Sequence, residues 1–311
     1  MKKIRINYAI LLLIILLPLG AKGVAESETP EKPIIAVSIV PQQYVVDRIA
    51  GNLVDTVVLV GPGQNPHSYE PTPRQMAMFS QAFAWITSGT DFEIALIPKI
   101  TSMYPNLLVV DGTEGVILRT LEEHDSDHED EEHHDAEEPH FGNIDRHTWL
   151  GSEPMKIMAN HVAKTLTQAD AKNTGIYEKN LQDFITEIDE LFVQLTETLS
   201  PLKGTTVLVY HPSFGYLLDE FEIHQKAVET GGKEPTAKNL SQLISEAKEE
   251  RIPAIFVQAQ FPVTAAQNIA KSIGAEVLPL DPLAYDWIKN IQEIGNTLQV
   301  ALMNQDKGEN P

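Results

Sequence analysis

Apolar side chains recur at three- and four-residue spacing through Ile176, Leu181, Phe184, Ile185, Ile188, Leu191, Phe192, Leu195 and Leu199, with no Gly or Pro among them. Such spacing predicts one continuous amphipathic helix, about 36 Å long at about 1.5 Å per residue. Pro201 stops it. A helix of that reach can run along two lobes as a stiff connector, or serve one lobe as a surface helix. What flanks it bears on which.

Before the helix, near-continuous apolar runs occupy 34–40, 56–60, 83–86 and 107–110. They predict strands buried on both faces, as in a parallel sheet. After Gly204 the rhythm returns at 206–210, 254–257 and 276–280, with helical patterns at about 236–250 and 263–273. Alternation of this kind builds βαβ units, and 311 residues suit two lobes of roughly 130 each. The expected fold is therefore α/β: two Rossmann-like lobes with parallel sheets, joined by one long linker helix. The expected boundaries are an N-terminal lobe at 33–172, a linker at 173–200 and a C-terminal lobe at 203–304.

Lys2, Lys3 and Arg5 precede the apolar run Ala9 to Leu19, and small residues follow at Ala21, Gly23 and Ala25. This layout predicts a secretory signal over 1–25, cleaved near Ala25. The run is short for a permanent anchor in about 30 Å of hydrocarbon. The chain has no cysteine, which excludes disulfides, thiolate zinc sites and a lipid-modified N-terminal cysteine. An exported, unanchored chain points to a periplasm. The net charge of −21 disfavours nucleic acid and favours cations, although segment 122–138 alone holds eleven acidic residues and no Lys or Arg.

Of ten histidines, five lie in or beside that segment (His124, His128, His133, His134, His140) and five elsewhere. His67 sits in a loop after a predicted strand, His211 ends another, and His147 follows the acidic segment. Asp281 ends a further predicted strand, ahead of Pro282. Ligands of open α/β sheets bind beside strand carboxyl ends, so lobes that face each other can bring all four side chains to one cleft. Three imidazoles and a carboxylate suit Zn²⁺; Mn²⁺ prefers more oxygens, which tilts the reading to zinc without excluding manganese. Taken singly, each residue also has an ordinary structural reading, and no close pair forms a metal motif.

Several longer motifs occur together: Ser38-Ile39-Val40-Pro41; Asn65-Pro66-His67-Ser68-Tyr69-Glu70-Pro71; His147-Thr148-Trp149-Leu150; His211-Pro212-Ser213-Phe214-Gly215-Tyr216; Gly232-Lys233-Glu234-Pro235-Thr236; and Leu280-Asp281-Pro282-Leu283. Through them the chain resembles the zinc- and manganese-binding substrate-binding proteins of ATP-driven metal importers, most closely the zinc-specific branch, from Pro33 to about Met303. The resemblance implies that His67, His147, His211 and Asp281 are the metal ligands. Manganese-preferring members carry a carboxylate where this chain has His211, which sharpens the zinc assignment. Three positions depart from the family pattern: Arg146 before the histidine, Gly151 where an acid is common, and Gln258 in place of a glutamate in the late strand.

The acidic His-rich stretch 122–140 is low-complexity and predicts a loop that cannot bury a core. Zinc-specific relatives have a similar loop, for which weak zinc capture or sensing is the expected role; a solubilising insert is the alternative. His161 and His224 are expected to be ordinary packed or surface residues. The resemblance implies a monomeric periplasmic protein that captures Zn²⁺ and hands it to an ABC-type permease in the inner membrane, with no catalysis and no stable membrane insertion. A manganese-binding homologue, a periplasmic zinc buffer and a secreted metallohydrolase are the alternatives.

Overall fold

The strand Ile34–Ile39 (β1) shows why its surroundings form as they do: five of its six residues, from Ile35 onward, are buried, so both faces must be covered. In the computed structural model, which describes residues 32–121, 144–229, 235–261 and 263–303, they are covered by helices. The chain runs β1, α1 (Val40–Ala50), β2 (Asp55–Val60), α2 (Pro73–Met78), β3 (Ala84–Thr87), α3 (Asp91–Met103) and β4 (Leu108–Asp111), then α4 (Ser152–Ala169) and α5 (Thr174–Leu199). There follow β5 (Thr206–Val209), α6 (Gly215–Asp219), β6 (His224–Ala227), α7 (Ala237–Glu249), β7 (Ala254–Val257), α8 (Val263–Ile273), β8 (Glu276–Pro279) and α9 (Trp287–Met303). The expected signal, the stretch 122–140 and Gly232-Lys233-Glu234 lie outside the described residues.

The two sheets share one plan. Their orders are β2-β1-β3-β4 and β6-β5-β7-β8, and every pairing is parallel. Helical crossovers are what parallel neighbours require. The two-lobed α/β reading thus holds. The strand the sequence pattern passed over is β6, whose His-Gln-Lys-Ala is polar because it forms a sheet edge.

Helix α5, 26 residues long, packs on α1 and α4 of the first lobe and on α9 of the second. Its apolar stripe reaches both: Phe184 meets Tyr44 edge-on, while Phe192 stacks on Phe221 and Trp287. One apolar core therefore continues from β1 through α5 into α9, and a smaller one fills the far side of the second lobe around Leu208, Leu243 and Ile255. Two buried indole bonds also join the lobes: Trp149 Nε1 donates to Pro282 O and Trp287 Nε1 to Trp149 O, each at 2.7 Å. Tyr285 OH adds a bond of 2.8 Å to Asp47 Oδ2 on α1.

The start of α4 accounts for one departure from the family pattern. Glu220, just past α6, accepts from Ser152 N at 2.6 Å and from Ser152 Oγ at 2.7 Å. A carboxylate at a helix N-terminus satisfies free amides and the helix dipole, and here the second lobe supplies it. Gly151 makes the approach possible, since a Cβ there would lie 3.1 Å from Tyr216 Cβ.

Candidate metal centre

His67 lies in a single 3₁₀ turn, Pro66–Ser68, after β2; Asn65 Oδ1 starts the turn by accepting His67 N at 2.9 Å. His147 precedes a second such turn, Thr148–Leu150, leading into α4. His211 follows β5, with its backbone clamped by Gln258: Nε2 donates to His211 O at 2.8 Å and to Ser213 Oγ at 3.0 Å. Gln258 is fully buried, so the amide at this position fixes the course of the His211 loop through neutral bonds.

These three loops aim their imidazoles at one point. His67 Nε2 and His211 Nε2 stand 3.0 Å apart, and His211 Nε2 and His147 Nε2 3.1 Å. Nitrogens about 2.0–2.1 Å from a tetrahedral ion stand about 3.3 Å from one another, so the two spacings are close to what a shared cation needs. Among the described residues these histidines are the one group of three or more His, Asp or Glu side chains that could hold a metal ion. His147 and His211 are buried and His67 half-buried.

Each ring is held from behind by a carboxylate on Nδ1. Asp91 Oδ2 lies 2.8 Å from His67 Nδ1, Asp145 Oδ1 lies 2.8 Å from His147 Nδ1, and Glu229 Oε1 contacts His211 Nδ1. A carboxylate accepting Nδ1–H fixes the ring orientation and leaves the Nε2 lone pair free for a metal. Asp145 is anchored further, accepting His147 N at 3.0 Å and Arg119 NH1 at 2.8 Å. Burial pushes the Asp145 carboxyl up, but the bond and charge of His147, with Arg119, hold it below the ordinary carboxylate range. The bond from His67 likewise lowers Asp91. Burial, and then the neighbouring His147 and His67, keep His211 neutral well below the usual imidazole range.

Arg119 joins this support to the second lobe. Its Nε lies 2.9 Å from Asp219 Oδ2, and Tyr216 OH accepts Arg119 N at 3.0 Å while donating to Asp145 O at 3.1 Å. Gly215 leaves room for the pair, because a Cβ there would collide with the Arg119 guanidinium and lie 2.8 Å from Asp145 Oδ2. A β-bridge between Thr120 and Ile144, with Asp145 N donating to Arg119 O at 2.9 Å, closes the root of the acidic segment two residues from His147.

Asp281, the fourth expected ligand, is not in the gathered group. Its Oδ1 accepts Leu283 N at 2.9 Å, and the residue lines a cavity of about 560 Å³ with Gln258, Asn290 and Glu293. His161 bonds Glu114 O from α4, and His224 is exposed at the head of β6; neither joins the cluster. Sequence reading missed Asp91, Asp145, Glu229 and Arg119. Asp145 had a local signal, two residues before His147; Asp91 and Glu229 reach their histidines across 24 and 18 residues.

Paired parallel-sheet lobes with convergent imidazoles at their junction define a metal-binding protein of the substrate-binding type. The family model described as "Zinc-uptake complex component A periplasmic" matches residues 35–301, and the chain belongs to that family. It is 24% identical over 254 residues to the zinc-binding lipoprotein AdcA of Streptococcus pneumoniae strain R6, covering 80% of this chain and 50% of that protein. The chain thus spans about half the length of that relative. It is 24% identical over 293 residues to the high-affinity zinc uptake system protein ZnuA of Bacillus subtilis, covering 93% of this chain and 86% of that one. A crystal structure of ZnuA superposes with a TM-score of 0.77 at 34% identity, over 87% of this chain and 99% of that chain. No helix among the described residues is long and apolar enough to cross a membrane.

Proposed function

We propose that this chain is a periplasmic carrier that captures Zn²⁺ in preference to Mn²⁺ and delivers it, chemically unchanged and as a monomer, to an ATP-driven membrane permease. The convergence of three Nε2 atoms, each backed by a carboxylate on Nδ1, carries the reading. Nitrogen donors at this spacing suit a borderline ion in tetrahedral geometry better than a hard ion that seeks six oxygens.

His67, His147 and His211 bind the ion from three loops, and Asp281 supplies the fourth donor. Its support is position: its loop is pinned to the His147 loop by the Trp149–Pro282 bond, and its cavity shares Gln258 with His211. The bond from Leu283 N takes Asp281 Oδ1 and leaves Oδ2 to serve as the donor. The acidic His-rich segment 122–140 collects zinc weakly ahead of tight binding by the histidines. Four protein ligands leave no open position for a hydrolytic water.

The test is calorimetric titration of metal-stripped protein with Zn²⁺ and Mn²⁺. One tight zinc site per chain is expected, abolished in His211→Ala and weakened in Asp281→Ala. A chain that loses its tight site on deletion of 122–138 would instead be a buffer built on that segment.

A further inference from the structure

His211 is gripped from three directions. Gln258 clamps its backbone, Nε2 donating to His211 O at 2.8 Å. Glu229 Oε1 meets its Nδ1. The phenyl ring of Phe261 lies flat against its face, with ring centroids 4.6 Å apart and planes 20° from parallel. Phe261 follows β7 after a short turn and is fixed by its own backbone, because Phe261 N donates to Gln258 O at 3.1 Å. The turn 258–261 therefore holds both the main chain and the ring of this histidine. Phe261 also leans on Tyr210, 5.7 Å away, and is half-buried against the smaller core of the second lobe.

The other two histidines have no such cover among the described residues. His67 meets only the rings of His147 and His211, both edge-on. His147 meets Trp149, again edge-on, at 62°. Only His211 has a ring stacked on its face.

The two restraints on the His211 ring act at right angles. The bond at Nδ1 lies in the ring plane, and a hydrogen bond tolerates tens of degrees of bending, so it leaves the ring free to tip. A phenyl face in contact blocks tipping toward its own side, and the attraction of a stacked pair at this spacing resists tipping away. Tipping is the motion that would carry Nε2 off an ion shared with His67 and His147.

We infer that Phe261 governs how long zinc stays bound: lying flat on His211, it keeps that imidazole from tipping away from the ion and so slows release. This rests on the zinc-capture reading above. Phe261 offers no donor atom to the ion; it is a positioning residue that acts through direct contact with His211.

The experiment follows release of Zn²⁺ from the loaded chain into excess chromophoric chelator by stopped flow, and association by mixing the metal-stripped chain with Zn²⁺. In Phe261→Leu release should quicken by about three- to tenfold, the worth of a stacked ring pair, with association nearly unchanged, since affinity differences fall mostly on dissociation. Phe261→Tyr, which keeps a flat ring on His211, should release zinc at the parent rate. In the NMR spectrum of the zinc-loaded parent the His211 ring protons should be shifted upfield by the Phe261 ring current, and Phe261→Leu should abolish that shift. Release unchanged in Phe261→Leu, release quickened equally in Phe261→Tyr, a change confined to association, release rates that merely follow the urea-unfolding stability of the metal-free variants, or a parent without the upfield shift would each overturn the inference and leave zinc capture intact. Absence of tight zinc binding in the parent chain would overturn the capture reading itself.

Discussion

His147 shows how much of a candidate metal site lies behind the imidazole itself. Its ring is set by Asp145, which is set in turn by Arg119 and Tyr216. Replacing Asp145 or Glu229 by its amide should therefore lower zinc affinity, by about 10–100-fold if these residues act as metal-supporting carboxylates do elsewhere, read by competition with a chromophoric chelator. His211 makes a separate prediction about pH. Its imidazole stays neutral in the fold well below the ordinary range, whereas the unfolded chain takes up that proton near pH 6.5. Below that point the unfolded state binds more protons, so stability of the metal-free protein should decline as pH falls from about 6.5 towards the lower folded value. Thermal melts of the metal-free chain should show this slope, and His211→Asn should flatten it.

At the scale of elements, short contacts between α4 and α6 fix the cleft. Glu220→Ala removes the carboxylate that caps α4 from the other lobe and should cost about 1 kcal/mol, the usual worth of a cap, measured by urea unfolding. Gly215→Ala should cost about 1–3 kcal/mol as an overpacked contact, and it should also weaken zinc binding, because the displaced guanidinium releases Asp145. Elements were also where the sequence was most readable. The long stripe from Ile176 to Leu199 is α5, and the buried runs are the strands, since period and burial are local properties. The polar edge strand β6 carries no such signal, and Glu229, two residues beyond it, was hidden with it. The three histidines were legible through their motifs, while the carboxylates behind them depend on which loops the fold makes neighbours. Arg146 stood out as a departure, but its partner Asp91, 55 positions earlier in the chain, emerged only from the geometry.

For the whole molecule, the core running through α5, the paired indole bonds and Tyr285–Asp47 oppose a wide swing of one lobe against the other. Small-angle scattering of metal-free and zinc-loaded protein should give radii of gyration within about 1 Å, as for partners that bind with little backbone motion; a domain-closure carrier would exceed that. Trp287→Phe removes one of the indole bonds while keeping the ring, and should widen the difference. Finally, the Thr120–Ile144 bridge has a consequence for how this protein can change over generations. It sets Thr120 and Ile144 side by side, and closing a loop of twice the length between two such ends costs only about 0.6 kcal/mol more. The paired ends therefore make an insertion port: between Thr120 and Ile144 histidines and acids can be gained, lost or repeated at little cost to folding, so this stretch of sequence is free to diverge while the three histidines stay fixed.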